Sequence, residues 1–456
     1  MPPMIYDVAV VGGGITGAGV VRDAALRGLS AVLIEKNSPG AATTASSTHL
    51  IHGGLRYLLY DRLTTHTTCW DSGHIVRIAR PLLTRIPILW PVYDYHRHGI
   101  ETVETLLESY DGFQQMKEGR PHLRLTAEET RRLVPRLRPQ GLRGGLLFDE
   151  WWVDPIALVR ANLDSALRAG AQIRTGQVVT GFLRDGARVR GVRVRLGGES
   201  QDLSARIVVN AAGPWVDRVA RSAGVEVPLR LRKGVHLIYR NNVGLSPERL
   251  GLLLEAEDRE RYVFVIPGAD GSTLVGPTDT PTPEGPDALT ASAEDKRYLL
   301  ASVRAYVPDF PESFDGVSVG ARPLLGQAGA EKYLSREFEI IDHGARDGVP
   351  GLVTAAGGKM SDFRLMAEAA VDTTARLLGM SALSRTAHET LAGEPLDGAL
   401  DRRRPGVFLK TFLRRHPRLR EAHAWAYLAG GYARHWFRKW APRKPVTADA
   451  VWSHYR

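Results

Sequence analysis

The N-terminal segment has glycines whose spacing is typical of a dinucleotide-binding turn. Gly12, Gly14 and Gly17 follow a short apolar run and open a stretch with helical spacing. Glycines in this pattern permit a tight turn, let the backbone approach a pyrophosphate and allow the helix to pack closely on the strand. Glu35 ends the next apolar run, 23 residues after Gly12, where its carboxylate would accept hydrogen bonds from ribose hydroxyls. We therefore predict a dinucleotide site here, with a ligand-free glycine turn as the alternative.

A second stretch, HLIHGGLRYL, places several hydrogen-bond donors around a glycine pair. It begins at His49 and contains His52, Gly53, Gly54 and Arg56. A turn that folding requires would explain the glycines. Donors directed at a bound molecule would explain the histidines and the arginine. Both explanations are open from these residues alone.

The strand and helix patterns around these stretches predict two interleaved domains. Residues 5–11, 12–28 and 30–36 predict a strand, a helix and a strand, which is one βαβ unit. Residues 230–345 contain short apolar runs separated by Gly, Pro and Asp, which favours an antiparallel sheet. Residues 351–379 again predict strand, glycine turn and helix, so the chain returns to the first domain.

The predicted fold class is α/β, with a Rossmann-like domain, an antiparallel-sheet domain and a helical C-terminal extension. A chain of 456 residues with 43% hydrophobic content normally organises more than one core. The predicted ranges are 1–80, 150–225 and 345–382 for the first domain, 81–149 and 226–344 for the second, and 383–456 for the extension.

Composition excludes several classes of protein. A single cysteine, Cys69, rules out a disulfide framework and a cysteine-bound zinc or iron–sulfur site, and we predict no metal. The first residues lack a basic n-region, so we expect a strand there and not a signal peptide. No window approaches the roughly 18 apolar residues of a membrane span. We therefore expect a reducing, cytoplasmic location.

The net charge of +10 is concentrated at the C-terminal end. From Asp401 to Arg456 the chain has 14 Lys or Arg against 3 Asp or Glu, whereas the first 400 residues have 46 against 47. A basic, aromatic-rich segment on a near-neutral body indicates a surface-binding element, and no nucleic-acid partner is expected.

Aromatic residues of the extension form a predicted helical stripe. Trp425, Leu428, Tyr432, Trp436 and Trp440 recur at steps of three or four, with Arg434 and Arg438 off the stripe. Upstream, apolar residues lie among basic ones: Val407, Phe408, Phe412 and Leu413. Helices at a membrane surface have this composition, and a stripe that packs on the body or on a partner subunit has it too. Both interpretations stay open.

Ordered segments across residues 5–380 resemble the FAD-dependent glycerol-3-phosphate dehydrogenases, within the D-amino-acid-oxidase-like flavoprotein superfamily. The segments are VVGGGITGAGVVRDAALRGL, SSTHLIHGGLRYL, WWVDPIALV, VVNAAGPWVD, KGVHLI, FVIPG, VGPTDT, GARPLL and AAGGKMSDFRLMAEAA. The resemblance implies that the first domain binds FAD and that the second holds the hydroxyl carbon of a substrate over the flavin. GFLRDGARVRGVRVR and IIDHGARDGVPGL look most like the anaerobic, quinone-linked form.

The resemblance also implies which residues contact the flavin. Gly357 to Lys359 precedes a helix predicted to begin near Ser361, so its N–H groups could face the flavin edge where negative charge develops on reduction. Besides the fingerprint glycines and Glu35, the implied cofactor-binding residues are Thr43, Ser47, His49, His52, Gly53, Val178, Gly213, Gly358 and Lys359.

Four residues are implied to contact substrate or move its proton. Arg56 and Arg322 match substrate-contacting arginines of the family, and two guanidinium groups suit a phosphate because each can bind it bidentately. His236 matches an active-site histidine and is the predicted general base, since an ordinary histidine titrates near neutrality. Lys359 is the alternative base or a cation beside the reduced ring. Ordinary surface arginines and a core histidine are the competing explanations.

Four positions depart from the family pattern. His49 stands where many members have Lys, and Pro277 replaces a Thr. Asp362 and Phe363 stand where hydroxyl residues are common. An acid near a phosphate site weakens phosphate binding by repulsion unless it points away or pairs, for example with Arg364. These departures bear on the substrate and not on the flavin.

The resemblance implies oxidation of sn-glycerol 3-phosphate to dihydroxyacetone phosphate by hydride transfer from C2 to flavin N5. It implies electron transfer to a quinone by a protein peripheral at the cytoplasmic face of the membrane, with the basic extension in contact with that surface. One alternative is a dehydrogenase or oxidase of another small hydroxy acid or amine. Another is a non-catalytic flavin-binding subunit, and a homo-oligomer or a partner subunit is compatible with either.

Overall fold

The computed structural model describes residues 4–59, 61–243, 245–246, 248–282, 284–326, 337–396, 416–438 and 446–455. Within these ranges the strands are β1 Ile5–Val11, β2 Ala31–Glu35, β3 Leu50–Ile51, β4 Leu83–Tyr93, β5 Leu123–Leu125, β6 Leu142–Val153, β7 Gln172–Thr175, β8 Val178–Asp185, β9 Arg188–Leu196, β10 Glu199–Asn210, β11 Leu229–Tyr239, β12 Gly251–Glu255, β13 Tyr262–Pro267, β14 Thr273–Gly276, β15 Thr280–Pro281, β16 Gly316–Leu325, β17 Phe338–Asp342 and β18 Leu352–Gly357.

The α-helices of the same ranges alternate with these strands. They are α1 Ile15–Leu26, α2 Arg62–Ile78, α3 Ile100–Gln114, α4 Ala127–Leu133, α5 Pro155–Arg168, α6 Val216–Ser222, α7 Ala293–Arg304, α8 His343–Asp347, α9 Phe363–Leu378, α10 Pro417–Arg438 and α11 Ala448–Tyr455. A 3-10 helix, Leu55–Leu59, follows the glycine pair of the HLIHGGLRYL stretch.

The first sheet has a parallel centre. Its described strands run in the order β17-β18-β10-β1-β2-β7, with β9 paired to β10 and β8 paired to β9. Val8 of β1 pairs with Ala31 on one side and Ile207 on the other. Helices α1, α5 and α9 cover one face, and apolar residues of β9 and α6 cover the other, which buries β1 on both sides and explains its almost continuous apolar run. This arrangement brings the turn after β1 to the carboxyl edge of the sheet, where ligands bind in such folds.

The second sheet is largely antiparallel, as predicted. Its described strands run β15-β11-β14-β13-β12-β4-β6-β3, with β16 paired to β11 and β5 to β6. The β4–β12 pair is parallel. The long β11–β16 pair places His236 opposite Ser318 and Arg232 opposite Arg322. Two residues predicted from different segments, His236 and Arg322, therefore lie on neighbouring strands.

The strands do not all follow the predicted domain ranges. β3, inside the range 1–80, pairs with β6 of the second sheet. β17 precedes residue 345 but pairs with β18 of the first sheet. The α/β fold class is confirmed, and the division into domains stays a prediction.

Part of the C-terminal extension packs on the body. Helix α10 lies against α3 and the 3-10 helix Leu55–Leu59, and Leu428 is buried there. The basic segment that contains Val407, Phe408, Phe412 and Leu413 lies outside the described residues, and so does Trp440. For Arg434, Trp436 and Arg438 the structure describes the helical backbone and not the side chains. None of the described helices has the length and apolar character of a membrane span.

Candidate active site

A cavity of about 1100 Å³ extends from the glycine turn after β1, across the second sheet, to helix α10. Its wall includes Gly12, Glu35, Lys359, His236 and Arg322, which come from five separate segments. Ligand cavities are commonly about 300–1,000 Å³, so there is room for a large cofactor together with a small substrate. Most of the residues predicted to be functional therefore share one space.

The glycine turn cannot accept side chains. Gly12 has φ of +107°, and a Cβ atom there would lie 2.7 Å from the Ala211 carbonyl oxygen. A Cβ atom on Gly17 would lie 1.9 Å from the Gly12 carbonyl oxygen. Gly14 caps α1 and lines the cavity, whereas Gly17 lies behind it. These contacts support the predicted roles of the three glycines, in which Gly12 forms the tight turn, Gly14 lets the backbone approach a ligand and Gly17 allows close helix–strand packing.

Glu35 is fixed at the cavity by two backbone donors. Its Oε2 atom accepts a hydrogen bond of 2.6 Å from the Gly13 N–H, and Oε1 accepts one of 2.7 Å from the Asn37 N–H. Next to it, the Lys36 ammonium lies 3.6 Å from the ring centre of Trp215, a cation–π contact at the same wall. A carboxylate held in this way keeps lone pairs for the hydroxyls of a ribose.

Serine hydroxyls connect the turn at His52 with the turn at Gly358, on a part of the cavity wall away from the Gly12 turn. The Ser361 hydroxyl accepts a 2.9 Å hydrogen bond from the His52 N–H. The Ser72 hydroxyl lies 3.2 Å from the His52 carbonyl and 3.3 Å from the Ser361 carbonyl. Gly358, with φ of +82°, lines the cavity beside them. The HLIHGGLRYL stretch and the GGK turn thus form one continuous wall.

His236 is completely buried next to the cavity. Its Nε2 atom lies 3.1 Å from the Thr48 hydroxyl, and Nδ1 has no hydrogen-bond partner among the residues that the structure describes. Burial, with smaller contributions from the charges of Arg322 and His49, lowers the pKa of His236 to about 3. The imidazole is therefore neutral at physiological pH, with one nitrogen unpaired. The role of general base was predicted for His236 from the ordinary pKa of histidine. The pKa of this ring is lower because it is out of water and beside a cation, and its role as base stays a prediction.

Lys359 is an ammonium group in an ion pair. Its Nζ atom lies 2.6 Å from Asp362 Oδ2. Burial opposes the charge, but Asp362 and Tyr57 overcome it and raise the pKa of Lys359. A raised pKa favours the predicted role of a cation beside the reduced ring over the alternative role of base, and both stay predictions. The pairing that we considered for Asp362 was with Arg364, but Arg364 instead pairs with Asp71 and Glu368.

A group of arginines surrounds a single carboxylate on the second sheet. Arg322 Nη1 lies 3.2 Å from Asp279 Oδ1, and Arg232 Nε lies 2.7 Å from the same oxygen. Arg261 donates to the Asp279 carbonyl oxygen. Arg56 is exposed to the cavity from the 3-10 helix, and no carboxylate in the described ranges pairs with it. Among the described residues, arginines therefore outnumber carboxylates around Asp279.

Two predicted flavin contacts lie behind the wall. The His49 ring packs edge-on against Trp152 at a centroid distance of 6.3 Å, and His49 has φ of +58°. A Cβ atom on Gly53 would lie 2.1 Å from the Tyr110 hydroxyl and 2.3 Å from Cys69 Sγ. We expected both residues at the cofactor. In the structure His49 packs on Trp152 and Gly53 lies in a closely packed turn, so the requirements of folding explain these two residues.

The remaining predicted residues line the cavity. Gly213 has φ of +54°, and a Cβ atom there would meet nothing within 4 Å, so its cavity side is open to a ligand. Thr43 donates a 2.7 Å hydrogen bond to the Ala321 carbonyl and so ties the first domain to the second sheet. The others on the wall are Ser47, His52 and Val178. Lys233 of β11 pairs with Asp295 at 2.6 Å.

Some cavity residues were missed by the sequence analysis. Tyr262 begins β13 and Arg261 directly precedes it, and both line the cavity, although the strand pattern itself carries no signal for this. Trp425 and Tyr432 of α10 also line it. Their helical spacing was visible, but spacing alone does not tell which surface a stripe covers.

The wall fits a dinucleotide of the FAD type. The glycine turn brings backbone N–H groups of α1 to the cavity, Glu35 stands where a ribose would lie, and the open side of Gly213 leaves space opposite. Gly358 and Lys359 would hold the far end, where a protonated lysine suits developing negative charge. These features are those of a flavin-dependent oxidoreductase.

Comparison with known proteins agrees with the geometry. The family described as FAD dependent oxidoreductase matches residues 7–376. The aerobic glycerol-3-phosphate dehydrogenase of Staphylococcus haemolyticus (strain JCSC1435) is 32% identical over 409 residues, which cover 86% of this chain and 72% of that protein. The corresponding protein of Staphylococcus aureus (strain USA300) is 32% identical over 383 residues, which cover 82% and 67%.

Solved structures share the architecture. The glycerol-3-phosphate dehydrogenase from Bacillus halodurans complexed with FAD superposes with a TM-score of 0.68 at 27% identity, covering 85% of this chain and 68% of that one. Glycine oxidase from Geobacillus kaustophilus has a TM-score of 0.63 at 21% identity, covering 83% and 96%, which shows the fold alone. The chain belongs to the FAD-dependent oxidoreductase family, and FAD is its cofactor. Its resemblance to the glycerol-3-phosphate dehydrogenases of that family is confirmed.

Proposed function

We propose that the protein oxidises sn-glycerol 3-phosphate to dihydroxyacetone phosphate and passes the electrons to a quinone. The observation that carries this proposal is the cluster of arginines that shares the cavity with His236 and the dinucleotide turns. Curated relatives at 32% identity are named for the same substrate, which supports it. FAD, when bound, supplies the acceptor at N5 for the hydride of the substrate C2 carbon.

The substrate phosphate would lie among Arg56, Arg261 and Arg322. Asp279 compensates part of the charge of Arg322, and Arg232 shares the same carboxylate, so positive charge remains for a dianion. A planar guanidinium binds a phosphate through two parallel hydrogen bonds. Gly234 makes the position of Arg322 possible, because a Cβ atom there would lie 2.3 Å from Nη2. The charge of this region favours a phosphorylated alcohol over a neutral amino acid.

His236 would take the hydroxyl proton. It is neutral, and its unpaired Nδ1 atom and its Nε2 atom beside Thr48 are the nitrogens that could accept a proton. A bound phosphate dianion beside Arg322 would offset the charge that lowers the histidine pKa, so the base would strengthen when substrate is present. Lys359, held as an ammonium by Asp362, would stabilise negative charge at the flavin end.

A location at the cytoplasmic face of the membrane belongs to the same proposal. The local excess of basic residues between Asp401 and Arg456 supports it, because cations are attracted to anionic headgroups. Leu428 is buried against the body, so at least this part of the aromatic stripe is used in packing.

Anaerobic reduction of the purified flavoprotein tests the proposal. We expect sn-glycerol 3-phosphate to bleach the flavin absorbance and to yield dihydroxyacetone phosphate in equal amount. Glycerol, L-lactate, glycine and L-proline are the comparison substrates, which cover unphosphorylated alcohols, hydroxy acids and amines. Faster reduction by any of them than by glycerol 3-phosphate would reject the proposed substrate, and no reduction by any would favour a non-catalytic flavin subunit.

A further inference from the structure

Helix α10 meets α3 through a group of charged side chains behind the cavity wall. Glu101, Glu104 and Glu108 follow one another on α3 at steps of three and four residues, so they share one face of that helix. His435 of α10 faces them, and ligand atoms of Glu101, Glu104 and His435 lie within 4.8 Å of one another. None of these four residues is among those that line the cavity. The group therefore belongs to the contact between the two helices and not to the substrate site.

His435 is oriented as a metal-bound histidine would be. Its Nε2 atom lies 2.9 Å from Glu101 Oε2. Its Nδ1 atom is buried and has no hydrogen-bond partner among the residues that the structure describes, and the side chain is only 5% exposed. A carboxylate that accepts the proton of one ring nitrogen fixes the tautomer and leaves the lone pair of the other nitrogen for a metal ion.

Carboxylate oxygens face this unpaired nitrogen. Glu108 Oε1 lies 3.4 Å from His435 Nδ1, and Glu104 Oε2 lies 3.9 Å from it. The second oxygen of Glu108, Oε2, is buried and has no hydrogen-bond partner within the described ranges. Zn²⁺ binds nitrogen and carboxylate oxygen at about 2.0–2.2 Å, so two ligands of a tetrahedral ion lie about 3.4 Å apart. The three atoms thus have nearly the spacing that such an ion requires.

Arg124 of β5 already binds two of the three glutamates. Its Nη2 atom lies 2.8 Å from Glu101 Oε1, and its Nη1 atom donates to Glu104 Oε2. A carboxylate offers about four lone-pair sites, so Glu104 can accept from Arg124 and still bind an ion. In the described part of the chain Arg124 does not pair with Glu108, whose carboxylate is next to His435. The arginine therefore orients the glutamates without occupying the position beside Nδ1.

We propose that His435, Glu104 and Glu108 bind a divalent cation of the zinc type, with water in the fourth position and Glu101 as the carboxylate that orients His435. An imidazole together with carboxylates suits Zn²⁺. The sequence prediction of no metal rested on cysteine spacing, which does not bear on a site of nitrogen and oxygen ligands. The ion fastens the C-terminal helix to α3, and both helices supply residues to the cavity wall.

The test is a titration of the metal-free holoenzyme with Zn²⁺. The protein is treated with pyridine-2,6-dicarboxylate, checked for FAD content and titrated by calorimetry. The ligand variants are Glu108→Gln and His435→Gln, and Glu101→Gln removes only the orienting carboxylate. The controls are Glu128→Gln and His388→Gln, which change exposed residues outside the contact between α3 and α10. Trypsin cleavage after the arginines of α10 is followed with and without Zn²⁺.

We expect the wild type and both controls to bind one equivalent of Zn²⁺. Loss of a ligand should weaken binding more than about a hundredfold, and loss of the orienting carboxylate should weaken it about tenfold. Zn²⁺ should slow trypsin cleavage of α10 in the wild type and not in Glu108→Gln, because the bound ion stabilises the docked helix. Mg²⁺ should not replace Zn²⁺, since imidazole is a poor ligand for it.

Two results would overturn the proposal. Absence of Zn²⁺ binding by the metal-free wild type would show that the four residues form an ion-pair network only. Equal affinity in the wild type, Glu108→Gln and His435→Gln would place the ion elsewhere. Should a variant fail to hold FAD, cleavage of α10 in the wild type decides, and equal rates with chelator and with Zn²⁺ would reject the site. No arm of the test uses a substrate, so the proposed function stands or fails separately.

Discussion

The glycine turns at one end of the cavity and the arginines at the other are held in position by different means. The turn at Gly12 and Gly17 depends on the absence of side chains and on backbone within the first sheet. The cluster around Asp279 depends on long side chains that meet from β11, from β16 and from Arg261, which directly precedes β13. The glycine turn is encoded locally and tolerates almost no substitution. The arginine cluster is assembled from distant segments, so the loss of one arginine should weaken binding without abolishing it.

The largest expected effect is at the glycine turn. Gly17→Ala would place a methyl group 1.9 Å from the Gly12 carbonyl oxygen, so the turn must open. We expect FAD content to fall below a tenth of wild type, because such a clash costs several kcal/mol, on the order of 3 or more. Flavin absorbance per protein after purification measures this. Gly316→Ala is the control, since its Cβ atom would meet nothing within 4 Å. Full FAD content in Gly17→Ala would contradict the view that FAD binding requires a glycine at this position of the turn.

Removal of the proposed base should be next in size. His236→Ala is expected to lower the rate of flavin reduction by glycerol 3-phosphate about a thousandfold, within the range of general-base catalysis. In the wild type the acid limb of kcat/KM should lie well below the 6.5 of an ordinary histidine, because burial lowers the pKa of the free enzyme's His236 to about 3. An acid limb near neutrality would show that another group titrates.

Loss of one arginine should affect substrate binding more than chemistry. Arg56→Ala should raise the KM for glycerol 3-phosphate about a hundredfold, as expected for a charge-assisted contact worth about 2–3 kcal/mol. Steady-state kinetics with intact FAD content measures it. Arg195→Ala, an exposed arginine on β9, controls for a general loss of positive charge. An unchanged KM in Arg56→Ala would place the phosphate elsewhere.

The smallest expected effect concerns Asp362, a departure from the family pattern. Asp362→Asn removes the partner of Lys359, and we expect it to cost about 2 kcal/mol in the free energy of unfolding. Denaturant unfolding measures it, with the exposed Arg132–Glu128 pair as a reference whose loss should be within error. A large fall in KM for glycerol 3-phosphate in this variant would mean that Asp362 repels the phosphate and does not mainly hold the lysine.

The difference between the glycine turn and the arginine cluster also explains which parts of the site could be predicted from the sequence. The glycine turn was predictable because its three glycines act within a few residues of one another. Lys359 and Arg322 were predictable as cavity residues through family resemblance. Their partners were not, because Asp362 could pair with either Lys359 or Arg364, and Asp279 reaches Arg322 only through strand pairing.

Burial was the other quantity that the sequence did not show. Both histidines were expected at the active site, His236 as a general base with the ordinary pKa of histidine and His49 as a flavin contact. One proved to be enclosed with a strongly lowered pKa, and the other to pack against Trp152 with a left-handed backbone. Similarly, the aromatic stripe of α10 was visible, but the surface that it meets depends on α3, more than 300 residues earlier in the chain.

The path of the chain has a consequence for how the protein comes apart. Within the described residues the backbone passes from one sheet to the other four times, after β2, β6, β10 and β16. A single protease cut in the β10–β11 connection would leave two fragments, each with strands in both sheets. Neither fragment could separate without dismantling a sheet, so a nicked holoenzyme should stay associated. Since residues of both sheets line the cavity that would hold FAD, FAD binding should stabilise both sheets together, in a single melting transition that shifts with flavin concentration.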